Sequence, residues 1–291
     1  MSDIAKLMGD LCREEGPTRT MLPGVRLYRA TQNIPRTPLL YQQGIVIVGQ
    51  GAKTVRLGGA AHVYDPGHYL VLTVPLPAEC EAEASPEKPL LTMAVDIDME
   101  MLRSIIGQLE GQGAQLRPGV VQQGLYLARA DAAFRDALRR LLHVLAEPEE
   151  GKVLGAGLVR ELLYRIIKGE NAAALYALAM HNTGLSRIDK ALRLIHDRCS
   201  QPFTVEQLAG EVHMSPSAFH RAFKEVTSLS PIQYVKKVRL NKAKSLLVDG
   251  GVRAGDAARL VGYESVSQFS REFKRYFGAS PGRLPERGAL S

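Results

Sequence analysis

The chain has 291 residues, 45% of them apolar and 23% charged, with a formal net charge of +7, which suits two globular domains and excludes a disordered or low-complexity protein. Three scattered cysteines (Cys12, Cys80, Cys199) in no ligand spacing argue against a disulfide framework and fit a reducing cytoplasm. Residues 1–20 lack the apolar stretch of a leader, and no run of about 18 apolar residues occurs, so a soluble cytoplasmic protein without a membrane partner is expected.

From about Arg26 to Asp98 the pattern is that of short strands. Gly44-Ile-Val-Ile-Val-Gly49 is an apolar run between glycines, Val55 and Leu57 alternate, and Tyr69-Leu-Val-Leu-Thr-Val74 and Leu90-Leu-Thr-Met-Ala-Val95 are rich in strand formers. Gly58-Gly59, Asp65-Pro-Gly67 and Pro75-x-Pro77 separate them as turns, which points to a small antiparallel barrel or double sheet. After Asp98 the period becomes helical. Met99 to Leu109 reads as one helix, and Phe134, Ala137, Leu138, Leu141, Leu142 and Leu145 form an apolar stripe that Pro148 ends. Leu154, Leu158, Val159, Leu162, Leu163, Ile166 and Ile167 mark the next helix. On their own these stripes read as helices that cover the barrel; the alternative, that they pair two copies of the chain, comes from the family resemblance given below. Polar breaks at 168–171 and 181–184 lead to a helix that Ser186-x-x-Asp189 is expected to cap.

The C-terminal part contains one motif written twice. Ser215-Pro-Ser-Ala-Phe-His-Arg-Ala-Phe-Lys224 returns fifty residues later as Ser265-Val-Ser-Gln-Phe-Ser-Arg-Glu-Phe-Lys274, and Ser230-Pro231 returns as Ser280-Pro281. Self-similarity at a fixed spacing marks a duplicated module. Ser215 fits an N-cap with Pro216 at the first helical position, and Ser265-x-x-Gln268 has the form of a capping box. The phenylalanines at i and i+4 share a rear face in each copy, leaving Ser, Arg and Lys in front. Upstream, Leu208-Ala209-x-x-Val212 and Ala257-Ala258-x-x-Val261 mark a shorter helix, with Gly262 suited to the turn after the second. Each copy thus reads as a helix-turn-helix. Thr204-x-x-Gln207 opens the first, and Ser230-Pro231-x-Gln233 opens a connecting helix that ends near Asp249-Gly-Gly251. From residue 185 onward there are 18 Lys and Arg against 10 Asp and Glu, a balance of +8, while the rest of the chain stands at −1. The basic character belongs to this part, as phosphate binding requires.

These residues carry a family resemblance. From Phe203 to about Leu284 the chain resembles the DNA-binding domain of AraC/XylS-type transcriptional regulators, through Leu208-Ala, the first Ser-x-x-x-x-Arg-x-Phe-Lys, Ser230-Pro, Arg239-Leu240-x-x-Ala243-x-x-Leu246-Leu247, Val261-Gly-Tyr263 and Phe277-Gly-x-Ser-Pro281. Gly44 with Gln50-Gly51, Tyr64-Asp-x-Gly67-x-Tyr69-Leu, Leu76-Pro77 and Ala94-Val-Asp-Ile-Asp98 resemble the N-terminal effector domain of one AraC-type subgroup. The resemblance implies an α+β chain. Residues 1–117 would form a cupin-like antiparallel effector-binding barrel, 118–183 a helical dimerisation or linker segment, and 184–291 two helix-turn-helix units joined by a long helix. It further implies a sequence-specific regulator whose partners are double-stranded promoter or operator DNA, a small-molecule effector, a second copy of the chain and RNA polymerase.

The expected DNA-facing residues are Ser215, Ser217, Ala218, His220, Arg221 and Lys224 in the first copy. In the second they are Ser265, Ser267, Gln268, Ser270, Arg271 and Lys274. Arg and Gln suit guanine and adenine edges, whereas the two lysines suit phosphates. Tyr28, His62, Tyr64 and Tyr69 are the polar candidates for lining an effector pocket. His62 and His68 lack the clustering that a metal site needs, and no Gly-x-Ser-x-Gly, Walker or dinucleotide motif occurs. No metal, cofactor or catalytic residue is therefore expected. The competing possibility is an enzyme or carrier built on the barrel with a DNA-binding appendix.

Overall fold

The computed structural model describes residues 3–112, 124–169, 172–180 and 183–283. After helix α1 (Asp3–Leu11) come β1 (Gly16–Arg19), β2 (Val25–Ala30), β3 (Ile34–Tyr41), β4 (Gly44–Gln50), β5 (Ala52–Leu57), β6 (Ala60–Tyr64), β7 (His68–Leu72), β8 (Leu76–Glu83) and β9 (Leu90–Asp96). Helix α2 (Met99–Gly111) and strand β10 (Leu125–Arg129) complete the N-terminal unit. The strands pair antiparallel in two sheets, ordered β1-β2-β9-β4-β7-β10 and β3-β8-β5-β6. The fold is α+β with a cupin-like, jelly-roll arrangement. The expected barrel is not closed: the sheets face each other as a sandwich.

Register explains what each face holds. In the six-stranded sheet Arg26, Ala94 and Val46 lie in one row and Tyr28, Thr92 and Val48 in another; strand alternation puts them all on the face toward the second sheet. The opposite face carries Leu27, Met93, Ile47 and Tyr69, and there Tyr69 stacks on Phe134 with ring centroids 4.3 Å apart. In the four-stranded sheet Lys53, Val55 and Leu57 alternate inward and are all buried.

Helix α3 (Ala132–Ala146) is capped by Asp131, whose carboxylate accepts from Phe134 N at 2.7 Å. Helix α4 (Pro148–Ile167) begins at Pro148, so the residue that ends one helix opens the next. Six stripe residues of α3, from Phe134 to Leu145, are buried, as are Leu162, Leu163, Ile166 and Ile167 of α4. The stripes mostly cover the N-terminal unit itself. Within these two helices only the first turns of α4 leave large apolar side chains in solvent, Val153 at 76% and Leu154 at 50% exposure. Helix α5 (Ala172–Ala179) follows. Helix α6 (Gly184–Asp197) is capped by Thr183, which accepts from Ser186 N at 3.0 Å; Ser186 is therefore inside the helix and not its cap. The expected boundary at 117/118 and parts of the two polar breaks (170–171, 181–182) lie outside the described residues.

The last five helices are α7 (Val205–Glu211), α8 (Pro216–Thr227), α9 (Pro231–Val248), α10 (Ala254–Leu260) and α11 (Val266–Phe277). The duplication is physical: Phe219 and Phe223 sit 5.4 Å apart at 55°, Phe269 and Phe273 5.3 Å apart at 55°, and all four are fully buried. Each such side chain contributes about 1.5–3 kcal/mol by burial. The two copies nevertheless differ in what they pack against. The core of the first, including Phe219, Phe223, Val226 and Tyr234, is continuous with that of the N-terminal unit. Tyr234 donates its hydroxyl to Pro75 O at 2.7 Å, and Gly124 N donates to Val226 O at 3.0 Å. The second copy has a separate core of Leu240, Ala243, Ala258, Val261, Tyr263, Phe269 and Phe273.

Candidate nucleic-acid interface and inter-sheet pocket

Both copies turn in the same way before their second helix. His213 (φ 55) and Gly262 (φ 84) take the left-handed conformation at matching places, and Met214 N and Tyr263 N each donate back 2.9 Å to Ala209 O and Ala258 O. Sequence reading found the glycine but not His213, because a left-handed non-glycine leaves no compositional mark. Gly262 has a second reason to lack a side chain, since a Cβ would collide with the Ser200 carbonyl.

Ser215 caps α8 and Ser265 caps α11, accepting from Ala218 N and Gln268 N at 3.4 and 3.2 Å. Their hydroxyls are thus partly committed to the helix start. On α8, Ser217, His220, Arg221 and Lys224 are exposed and Ala218 is half-buried. On α11, Ser267, Gln268, Arg271 and Lys274 are exposed and Ser270 is half-buried. Arg221 and Arg271 make no hydrogen bond or ion pair among the described residues, so neither braces the fold. Gln268 does not close the expected capping box. Its side-chain amide donates instead to Glu272 Oε1 at 3.2 Å, while Lys236 Nζ and Tyr263 OH reach the same carboxylate at 2.8 and 2.9 Å. Burial would raise the Glu272 carboxyl, but the bonds from Lys236, Gln268 and Tyr263 outweigh it and hold it below the usual carboxylate range. Glu272 thereby orients Gln268. The i, i+4 spacing was the available signal for this contact.

Helix α9 sets the distance between the copies. Its 18 residues span about 27 Å. A capping box formed by Ser230 and Gln233 starts it. From its middle, Arg239 donates to three carbonyls: Nε to Cys199 at 2.7 Å, Nη2 to Gln201 at 2.8 Å and Nη1 to Gly262 at 3.1 Å. One side chain thus ties the segment before α7 to the turn of the second copy.

A pocket lies between the two sheets. Arg26, Tyr28, Val46, Thr92 and Ala94 line one side, Leu39, Tyr41 and Lys53 the other. Of the expected pocket residues, Tyr28 is there, half-buried, with its phenol pushed up to about 12 by burial and by Glu15. Tyr64 is fully buried beside Tyr41 and Lys53, to which it is opposite in register, and burial raises its phenol strongly. His62 is half-exposed in β6, outside the lining. Tyr69 takes no part, because its strand phase turns it to the helical side against Phe134. Sequence reading missed Lys53. Its signal was a lysine in phase with Val55 and Leu57 on the apolar face of β5. Among the described residues no cluster of three His, Cys, Asp or Glu could hold a metal ion, and no helix is long and apolar enough to cross a membrane.

Comparison with known proteins bears on both halves. A family model described as the AraC-type transcriptional regulator N-terminus matches residues 21–174, and one described as a helix-turn-helix domain matches residues 208–287. Over 142 residues the chain is 27% identical to the HTH-type transcriptional regulator GbdR of Pseudomonas aeruginosa, covering 48% of this chain and 38% of that one. Over 94 residues it is 37% identical to AlkR of Acinetobacter baylyi, covering 32% and 31%. The chain thus spans about a third of the length of these curated relatives. Among solved structures it is similar to ToxT of Vibrio cholerae, with a TM-score of 0.60 at 14% identity over 92% of this chain and 97% of that one. A ToxT structure bound to an unsaturated fatty acid gives a TM-score of 0.63 at 12% identity, covering 92% and 95%. These likenesses show a shared fold over nearly the whole length. With a family model covering more than half of its residues, the chain belongs to the AraC-type transcriptional regulators.

Proposed function

We propose that the chain is a ligand-responsive transcriptional regulator that binds double-stranded promoter DNA through α8 and α11. The observation that carries this is the repeated exposed Ser, Arg and Lys face, displayed twice on buried phenylalanine pairs and joined by one clamped helix. Ser217, Ala218, His220 and Arg221 in the first copy, and Ser267, Gln268 and Arg271 in the second, read base edges. Ser215, Lys224, Ser265, Ser270 and Lys274 meet the backbone. Arg donates two hydrogen bonds to guanine and Gln pairs with adenine in the same bidentate manner. The α9 rod, about 27 Å long, falls a little short of the ~34 Å turn of B-DNA, so DNA bends where both helices insert. The N-terminal unit supplies the effector site between its sheets, a reading supported by the ligand seen in a ToxT structure of the same fold. A second copy pairs through Val153 and Leu154, and RNA polymerase is the downstream partner.

Binding-site selection with Arg221→Ala, Gln268→Ala and Lys274→Ala tests this reading. The first two each relax one position and cost about 1–3 kcal/mol, whereas the third weakens all sequences alike and lowers the salt slope by about 1. The two affected positions lie about 10 base pairs apart. Selection unchanged by Gln268→Ala but altered by Lys274→Ala refutes the assignment, and an effect confined to the first helix replaces two-groove recognition with one.

A further inference from the structure

Lys53 is buried inside the sandwich near the Cys80 thiol, with no carboxylate partner among the described residues. Its side chain lies on the inner face of β5 and the residue is 4% exposed. Its ammonium makes no hydrogen bond or ion pair among the described residues; it lies over the Tyr41 ring, 5.3 Å from the centroid. The carboxylates of the same sheet point the other way: Glu79 pairs with Arg36 and Glu81 with Arg56 on the outer face. An unpaired buried ammonium costs several kcal/mol, and an apolar side chain of the same length would fill the space without that cost. The pocket lined by Lys53 has two more polar groups on its walls. Arg26 is held by Asp96 through both terminal nitrogens, at 2.7 and 3.3 Å, yet its buried Nε has no acceptor among the described residues. The buried Tyr41 hydroxyl lies beside the Tyr64 hydroxyl and the Cys80 thiol, with neither in full hydrogen-bond geometry among the described residues. Lys53 and the ion-paired Arg26 line one cavity, with Asp96 on the same wall and Leu39, Val46 and Ala94 as apolar surface beside them; the Lys53 ammonium is the cation there left without an anion among the described residues, which suits it to receive negative charge.

We propose that the effector is a small organic carboxylate, received by Lys53 with Tyr41 and Arg26 Nε at the inter-sheet pocket. The pocket volume is about 80 Å³, about half that of a ~150 Å³ apolar cavity that takes up benzene. It therefore holds the carboxylate and a short stem, and a longer body extends toward the mouth at Gln42, which is exposed. This names the ligand class for the sensing unit and so rests on the regulator reading above.

The test uses the full chain and matched probes: butyrate, hexanoate and benzoate, each against its own amide, by calorimetry and thermal shift. The acids bind and raise the melting temperature; the amides do not. Lys53→Met weakens acid binding about thirtyfold or more, as loss of one partner of a buried charge pair does, and the ligand-free variant melts no lower than the parent. Amides that bind as well as acids, acid binding unchanged by Lys53→Met, or no binding by any acid overturns the proposal. A Lys53→Met chain that unfolds also overturns it, because the lysine is then structural. Binding of a selected DNA duplex is measured in parallel. Acid binding without DNA binding defeats the regulator reading and leaves the pocket standing; DNA binding without acid binding does the reverse.

Discussion

Replacing Arg239 with Met keeps the aliphatic stem and removes the guanidinium that ties Cys199, Gln201 and Gly262 together. Hydrogen bonds from charged donors are worth about 1.5–3 kcal/mol each. The guanidinium is half-exposed and water reaches Gln201, so the combined loss is set at about 2–4 kcal/mol, less than three full bonds. The second copy unfolds with a small urea dependence, on the order of 1–2 kcal/mol/M, which turns this loss into a midpoint shift of about 1–4 M. Urea titration followed by circular dichroism measures it, and hydrogen exchange locates it. Amides of α10 and α11 exchange faster in the variant, while those of β4, β7 and β9 keep their protection. Affinity for a two-groove DNA site drops with it, because the second helix is no longer held at a fixed distance. A midpoint within about 0.3 M of the parent, with unchanged exchange in α10 and α11, refutes the idea that this side chain fixes the spacing.

Gly262→Ala strains a left-handed residue and drives a Cβ into the Ser200 carbonyl, so it destabilises the second copy by about 2–4 kcal/mol, read in the same urea titration. Burial lowers the His196 imidazole to about 4, with Asp197 opposing and Lys242 adding to the shift. The neutral ring is thus favoured in the fold: its contribution is complete above about 6.5, the ordinary histidine value, and is lost as pH falls toward 4. The loss amounts to about 3 kcal/mol at most, and His196→Gln removes that slope from a pH series of melting curves. Val153→Asp with Leu154→Asp yields a monomer by light scattering with an unchanged melting temperature, whereas Leu162→Asp unfolds the N-terminal unit by about 3–5 kcal/mol.

What the sequence disclosed and what it concealed follow from how each signal arises. The duplicated motif was legible because the same buried phenylalanine pair imposes the same spacing twice. The strands were legible as elements, but β7 is buried on both faces, so alternation could not tell which way Tyr69 points. Helix α5 went unseen because Ala172–Ala179 is apolar all round and has no period to detect. Thr183 and Ser186 are both good caps, and only the backbone decides between them. Lys53 was in plain view, and a lysine in phase with core residues is the kind of local contradiction that marks a binding site. Whether the barrel closes depends on pairing between distant strands, about which local pattern says nothing.

The division of cores makes the two copies unequal partners mechanically. Opening the first copy means opening the sensor as well, so its amides report the stability of the whole molecule. The second copy can open by itself, at a lower free energy, about α9 as a tether. In the proposed two-groove reading the first copy lands on DNA as a rigid foot, and the second searches locally for its groove at the effective concentration its tether sets. Under the same reading, a ligand that stiffens the N-terminal unit reaches the first copy through shared packing, and reaches the second through the rod and the contact of α11 with β3.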